Sequence, residues 1–192
     1  MIRTAKEQIE EKKKLLFLMQ LPPPIHGACA MNQYVKESQL LKKNFSIRIL
    51  PLRFTERVSD LRKFSFKKIF ISIKVAACLL NELIFNRPSI VYFTLSPYGY
   101  AFYRDAFFVF IIKIFRVRIL YHLHGKGIRN SYQKNSLSRY LYKFIFQGED
   151  VICLTESLVD DISGIFNGFP YIVGNTIKNE INNEEYENNR NL

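Results

Sequence analysis

Four short segments of this chain carry side chains able to do chemistry. Each stands where a strand-like run gives way to a helical one. The first is Pro22–Pro23–Pro24–Ile25–His26–Gly27–Ala28. Its prolines stiffen the entry and remove backbone donors, while Gly27 permits close approach of a bound group and opens a helix. A helix start offers backbone N–H groups and the positive dipole end, which suits a phosphate. A stiff turn with a surface histidine, His26, accounts for the same residues without a ligand. The second segment, Ser96–Pro97–Tyr98–Gly99–Tyr100, runs into Arg104–Asp105. Tyr98 and Tyr100 are amphipathic and can line a sugar site; Arg104 either clamps a phosphate or pairs with Asp105.

The third segment is Tyr121–His122–Leu123–His124–Gly125–Lys126–Gly127. Two histidines one residue apart on a strand share a face. A metal there needs further ligands, and no Asp or third His follows closely, although His26 can reach across from the first loop. No metal and no cofactor are expected. His124, at the strand's end before a Gly-Lys-Gly turn, is expected to face a cleft as a hydrogen-bonding or proton-handling group. His122 reads as a satisfied core histidine. In the fourth segment, Thr155–Glu156–Ser157, a hydroxyl is expected to cap a helix whose first turn carries the acid.

Two nucleotide signatures are missing. The dinucleotide fingerprint needs three glycines at fixed spacing, and only Gly27 stands in the first loop; Gly125–Lys126–Gly127 lacks the earlier glycine and following hydroxyl of a phosphate loop. The 192 residues carry a formal charge of +11. A surplus of that size attracts anions: nucleic acid, an anionic membrane face or a phosphorylated small molecule. No helix-turn-helix, zinc finger or aromatic ribonucleoprotein motif supports nucleic acid. Three cysteines without close spacing make neither a disulfide framework nor a zinc knuckle. Cys78 and Cys153 lie in apolar runs and are expected as reduced core residues, which points to the cytoplasm.

The elements that must position these loops alternate in type. Residues 15–21 (LLFLMQL), 46–52 (SIRILPL), 90–95 (IVYFTL), 117–123 (VRILYHL), 151–155 (VICLT) and 171–173 read as strands. Residues 27–43, 65–86, 101–115, 136–146 and 156–166 read as helices. In the second of these, Phe66, Ile69, Ile73 and Ala77 recur at helical spacing. Several strands are apolar on both faces, which predicts a doubly wound α/β fold: a mainly parallel, Rossmann-like sheet with helices on both sides. Such sheets bind ligands beyond the carboxyl ends of their strands. Residues 1–177 are expected to form this domain and 178–192 an acidic, Asn-rich tail or linker. No signal peptide is visible, and the most apolar run, 69–85, is interrupted by Lys74 and Glu82. No membrane span is therefore expected.

The order PPPIHGA, HLHG, VICLTES and then Gly174–Asn175–Thr176–Ile177 resembles the amino-terminal domain of family-4-type glycosyltransferases of the GT-B fold, over residues 15 to about 177. The resemblance implies transfer of a sugar from a nucleotide-sugar to a saccharide or lipid-linked acceptor in bacterial surface-polysaccharide synthesis. It assigns catalysis to His124, the donor diphosphate to Gly27 and Gly125, and the acceptor to His26, Tyr98 and Arg104. It also implies a second, donor-gripping domain that these residues do not supply, so the chain alone is expected to be inactive. The alternative is a non-catalytic acceptor-binding or membrane-docking subunit of a two-chain transferase. Either protein is expected in the cytoplasm, with the basic, aromatic helix beginning at Ser65 suited to the inner membrane face or to plain core packing.

Overall fold

A computed structural model describes residues 12–23, 25, 27–54 and 65–175. His26, Thr176, Ile177 and the acidic tail lie outside the described residues. Six strands form one sheet in the order β2-β1-β3-β4-β5-β6, every neighbouring pair parallel. The strands are β1 (Lys13–Met19), β2 (Phe45–Pro51), β3 (Ile90–Phe93), β4 (Arg118–Leu123), β5 (Asp150–Cys153) and β6 (Tyr171–Ile172). The helices are α1 (Gly27–Glu37), α2 (Gln39–Asn44), α3 (Phe66–Asn81), α4 (Gly99–Ile114), α5 (Ile128–Tyr132), α6 (Ser136–Phe146) and α7 (Glu156–Ile162).

The chain first moves outward from β1 to β2 and then returns to place β3 on the other side of β1. That reversal puts the connections on opposite faces. Helices α1 and α2 cover one face through Val35 and Leu41, against Leu15, Phe17, Met19 and Tyr92. Helices α3 to α7 cover the other, burying Leu16, Leu18, Val91, Phe93, Tyr121 and Val151 among Leu79, Phe108, Ile145 and Ile162. The last five residues of β1 are buried on both sides, as an all-parallel central strand requires. The doubly wound reading therefore holds.

Several expectations change in detail. The helix expected over 27–43 breaks at Ser38, whose hydroxyl accepts the Leu41 N–H at 3.4 Å and starts α2. Short α5 has no apolar periodicity that would announce it. The helix expected over 156–166 stops at Ile162. Cys78 is exposed, not a core residue, whereas Cys29 and Cys153 are buried.

The largest difference is the orientation of α3. The periodic set Phe66, Ile69, Ile73 and Ala77 faces outward, while Val75, Ala76 and Leu79 face the sheet. Beside Lys67, Lys68 and Lys74 the helix carries more apolar residues than one face can bury, so apolar periodicity alone could not say which of them pack. It continues through a π-helical turn at Glu82–Asn86, whose Leu83 is buried. Together Phe66–Asn86 forms 21 residues long and apolar enough to cross a membrane, which the interruptions at Lys74 and Glu82 had argued against.

Candidate functional site

The carboxyl ends of β1, β3 and β4 lie side by side at the point where the strand order reverses. The side chains there form a buried polar cluster on the face that α1 covers. Asn32 of α1 is fully buried; its amide donates to the Gln20 carbonyl at 2.8 Å and its Oδ1 accepts the Thr94 hydroxyl at 3.0 Å. One side chain thus ties α1 to the ends of both strands that flank the reversal.

One step deeper, Tyr92 of β3 meets Nδ1 of His122 on β4. Burial pushes the Tyr92 phenol up, so it stays protonated and donates. Burial pushes His122 down to about 4, so its imidazole is neutral near pH 7. Nδ1 accepts, which leaves the ring proton on Nε2. That Nε2 has no hydrogen-bond partner among the described residues. His122 is thus in the core as expected, but only half satisfied. The ring of His124 lies 4.1 Å from that of His122, between centroids, and is half-buried at the mouth of the cluster. A neutral His122 with its buried donor, beside the His124 ring, can hydrogen-bond a hydroxyl or a phosphate oxygen without the desolvation cost of a buried cation.

The glycines of the two flanking loops differ in what they allow. A Cβ on Gly27 would meet nothing within 4 Å among the described residues. Neither packing against the described residues nor a positive φ requires glycine there, so the start of α1 is open. At Gly125 a Cβ would lie 3.3 Å from the Pro97 ring. At Gly127, with φ +126, it would lie 2.7 Å from the Tyr98 ring. Gly127→Ala is therefore expected to destabilise the fold by about 2 kcal/mol through overpacking and backbone strain. Gly27→Ala should leave the melting temperature unchanged. Thermal unfolding of the two variants side by side checks both.

The start of α5 already has an anion. The Asp161 carboxylate on α7 accepts the N–H groups of Gly127 and Ile128 at 2.8 Å and of Arg129 at 3.3 Å. A diphosphate meeting this turn must do so ahead of Gly127. Lys126 reaches the Ser157 hydroxyl at 3.1 Å. Thr155 occupies the cap position of α7 but makes no side-chain cap bond, unlike the expectation from its sequence.

Arg104 is turned into the fold. Its Nε and one terminal nitrogen donate to Asp105 Oδ1 at 2.8 and 2.6 Å. Its guanidinium stacks 3.8 Å from the Phe54 ring centroid. Asp105 Oδ2 accepts the Ser96 N–H at 2.8 Å, so the pair fixes the β3–α4 loop. Tyr98 is half-exposed beside Gly127, and Tyr100 is exposed at the start of α4. The structure thus brings His124, Gly125 and Tyr98 together at one edge, the same carboxyl edge at which α1 opens at Gly27 two strands away; Arg104 serves that edge through the loop it holds.

Sequence reasoning missed Asn32, Tyr92, Thr94 and Asp161. The only signal for the first was a polar residue on an apolar helix face. Tyr92 and Thr94 share the strand alternation that places His122 and His124 together. Among the described residues no group of three or more His, Cys, Asp or Glu side chains is placed to hold a metal. No protein-family model matches this chain, and no curated protein is detectably similar to it.

Proposed function

We propose that this chain is the acceptor-side half of a GT-B sugar transferase of family-4 type. It would act in transfer from a nucleotide-sugar to a saccharide or lipid-linked acceptor during surface-polysaccharide synthesis. The observation that carries this reading is that Gly27's open helix start, after β1, and the His122–His124 pair, ending β4, stand at the same carboxyl edge of a parallel sheet, two strands apart. Helix start and imidazoles together suit a phosphorylated sugar, whose phosphate takes the N–H groups and whose hydroxyls take the ring nitrogens. In this reading His124 stands beside the transferred sugar, Gly27 and Gly125 meet the donor diphosphate, and His26 and Tyr98 serve the acceptor. Arg104 acts by holding the β3–α4 loop. A sugar cleft of this kind has two walls, and these residues build one of them.

Calorimetric titration of a UDP-hexose and of a short-chain polyprenyl diphosphate sugar, separately, tests the division of labour. The lipid diphosphate should bind and the nucleotide-sugar hardly at all. His124→Ala and Tyr98→Ala should each weaken lipid-diphosphate binding about tenfold, the loss of one hydrogen bond to a charged group. Binding that neither substitution alters would sink the proposed site, and tight UDP-hexose binding would sink the assignment to the acceptor side. The second reading, a non-catalytic docking subunit, is favoured by the apolar outer face of α3 and α4.

A further inference from the structure

Helices α3 and α4 pack against the same face of the sheet and leave apolar outer faces that no described residue covers. Along them Phe70, Ile73, Ile84, Phe107, Phe110 and Ile114 are each between 46% and 61% exposed. On α4 the outward series Tyr103, Phe107, Phe110 and Ile114 recurs every three or four residues, opposite the buried Phe102, Ala106, Val109 and Ile112. Scattered surface apolar residues need no explanation, but two adjacent helices with continuous stripes mark an interaction surface.

Charge selects the occupant. Lys67 and Lys74 are exposed on α3, and Lys74 reaches over the Phe70 ring at 4.6 Å from its centroid. The acids of α3, its π-helical turn and α4 are compensated: Glu82 pairs with Arg48 at 2.8 Å, and buried Asp105 pairs with Arg104 at 2.6 Å. The face is therefore apolar with a basic margin, and the chain as a whole carries +11. A second copy would bring like charges together. An anionic bilayer offers the complement: acyl chains for the rings and phosphates for the lysines. The Phe66–Asn86 helix has the length of a membrane span, yet Val75, Ala76, Leu79 and Leu83 hold its inner edge in the core. Crossing the membrane would strip those residues from the sheet; lying in the interface does not.

We propose that the outer face of α3 and α4 docks in the plane of an anionic bilayer. Helix α4 starts at the carboxyl edge of the sheet, so the docked face reaches the candidate site with Tyr100 and Tyr103 at the near end. The docking uses no residue of that site and stands or falls independently of sugar transfer.

Co-sedimentation of the full chain tests it, using vesicles of equal parts phosphatidylglycerol and phosphatidylcholine against phosphatidylcholine alone. The anionic vesicles should bind the chain strongly and the neutral ones weakly. The double variant Phe70→Ser/Phe107→Ser should bind anionic vesicles about tenfold or more weakly, through lost apolar burial. Lys67→Gln/Lys74→Gln should lose on the order of tenfold on anionic vesicles and nothing on neutral ones. All four positions are exposed, so melting curves coincident with the parent's establish that both variants are folded. Absence of binding to either vesicle, or a folded serine variant that binds like the parent, overturns the proposal. So does a dimer in light scattering that the serine variant dissolves, because the face then belongs to a second copy.

Discussion

Replacing Asp105 by alanine is expected to lower the unfolding free energy by about 4 kcal/mol, the range for breaking a buried ion pair from one side. The carboxylate is fully buried and serves two partners at once, the Ser96 N–H and the Arg104 guanidinium. Alanine leaves a buried donor without an acceptor and a largely buried cation without its counter-charge. Both penalties add to the loss of the bonds themselves. In denaturant unfolding the midpoint should fall with the slope unchanged, because the surface exposed on unfolding is the same. Arg104→Ala should cost less, since the carboxylate keeps the Ser96 N–H. Equal losses in the two variants would mean that the ion pair, not the loop bond, carries the stability.

Acidification is expected to weaken the fold through His122. In the folded chain its value lies at about 4, against an ordinary 6.5, because burial disfavours the imidazolium. As the pH falls the unfolded chain therefore takes up this proton first. The contribution is fully present above about pH 6.5 and is lost progressively toward pH 4, by about 3 kcal/mol in all. His122→Asn keeps a partner for the Tyr92 hydroxyl but cannot titrate there. Its stability should start lower at neutral pH and then change less between pH 6.5 and 4. Parallel curves for the variant and the parent would place the acid sensitivity elsewhere, in the carboxylates or the other histidines.

Much of the architecture was legible in the residues. Short apolar runs such as Leu15–Met19 cannot alternate polar and apolar faces, so they belong in a sheet covered on both sides. The proline cluster after β1 and the glycine turn after β4 are local signals for the ends of their strands. Helix α6 has one strongly apolar side, and its expected bounds at Ser136 and Phe146 are the observed ones. Where apolar residues exceed what one face can bury, as in α3, apolar periodicity does not choose among them. The packed sheet chose Leu79 for the core and left Phe70 outside.

The site divides along the same line. Sequence by itself determined that the chain makes a parallel α/β sheet and that Gly27, His124 and Tyr98 stand at strand ends, because strand and turn chemistry are local. Tertiary structure alone decided the partners: Asn32 with Thr94, Tyr92 with His122, Asp105 with the Ser96 loop, and Asp161 across the start of α5. Each of these joins residues brought together only when parallel strands and their crossover helices close. A hydrogen bond is decided by atoms within about 3 Å, and no spacing along the chain encodes that distance.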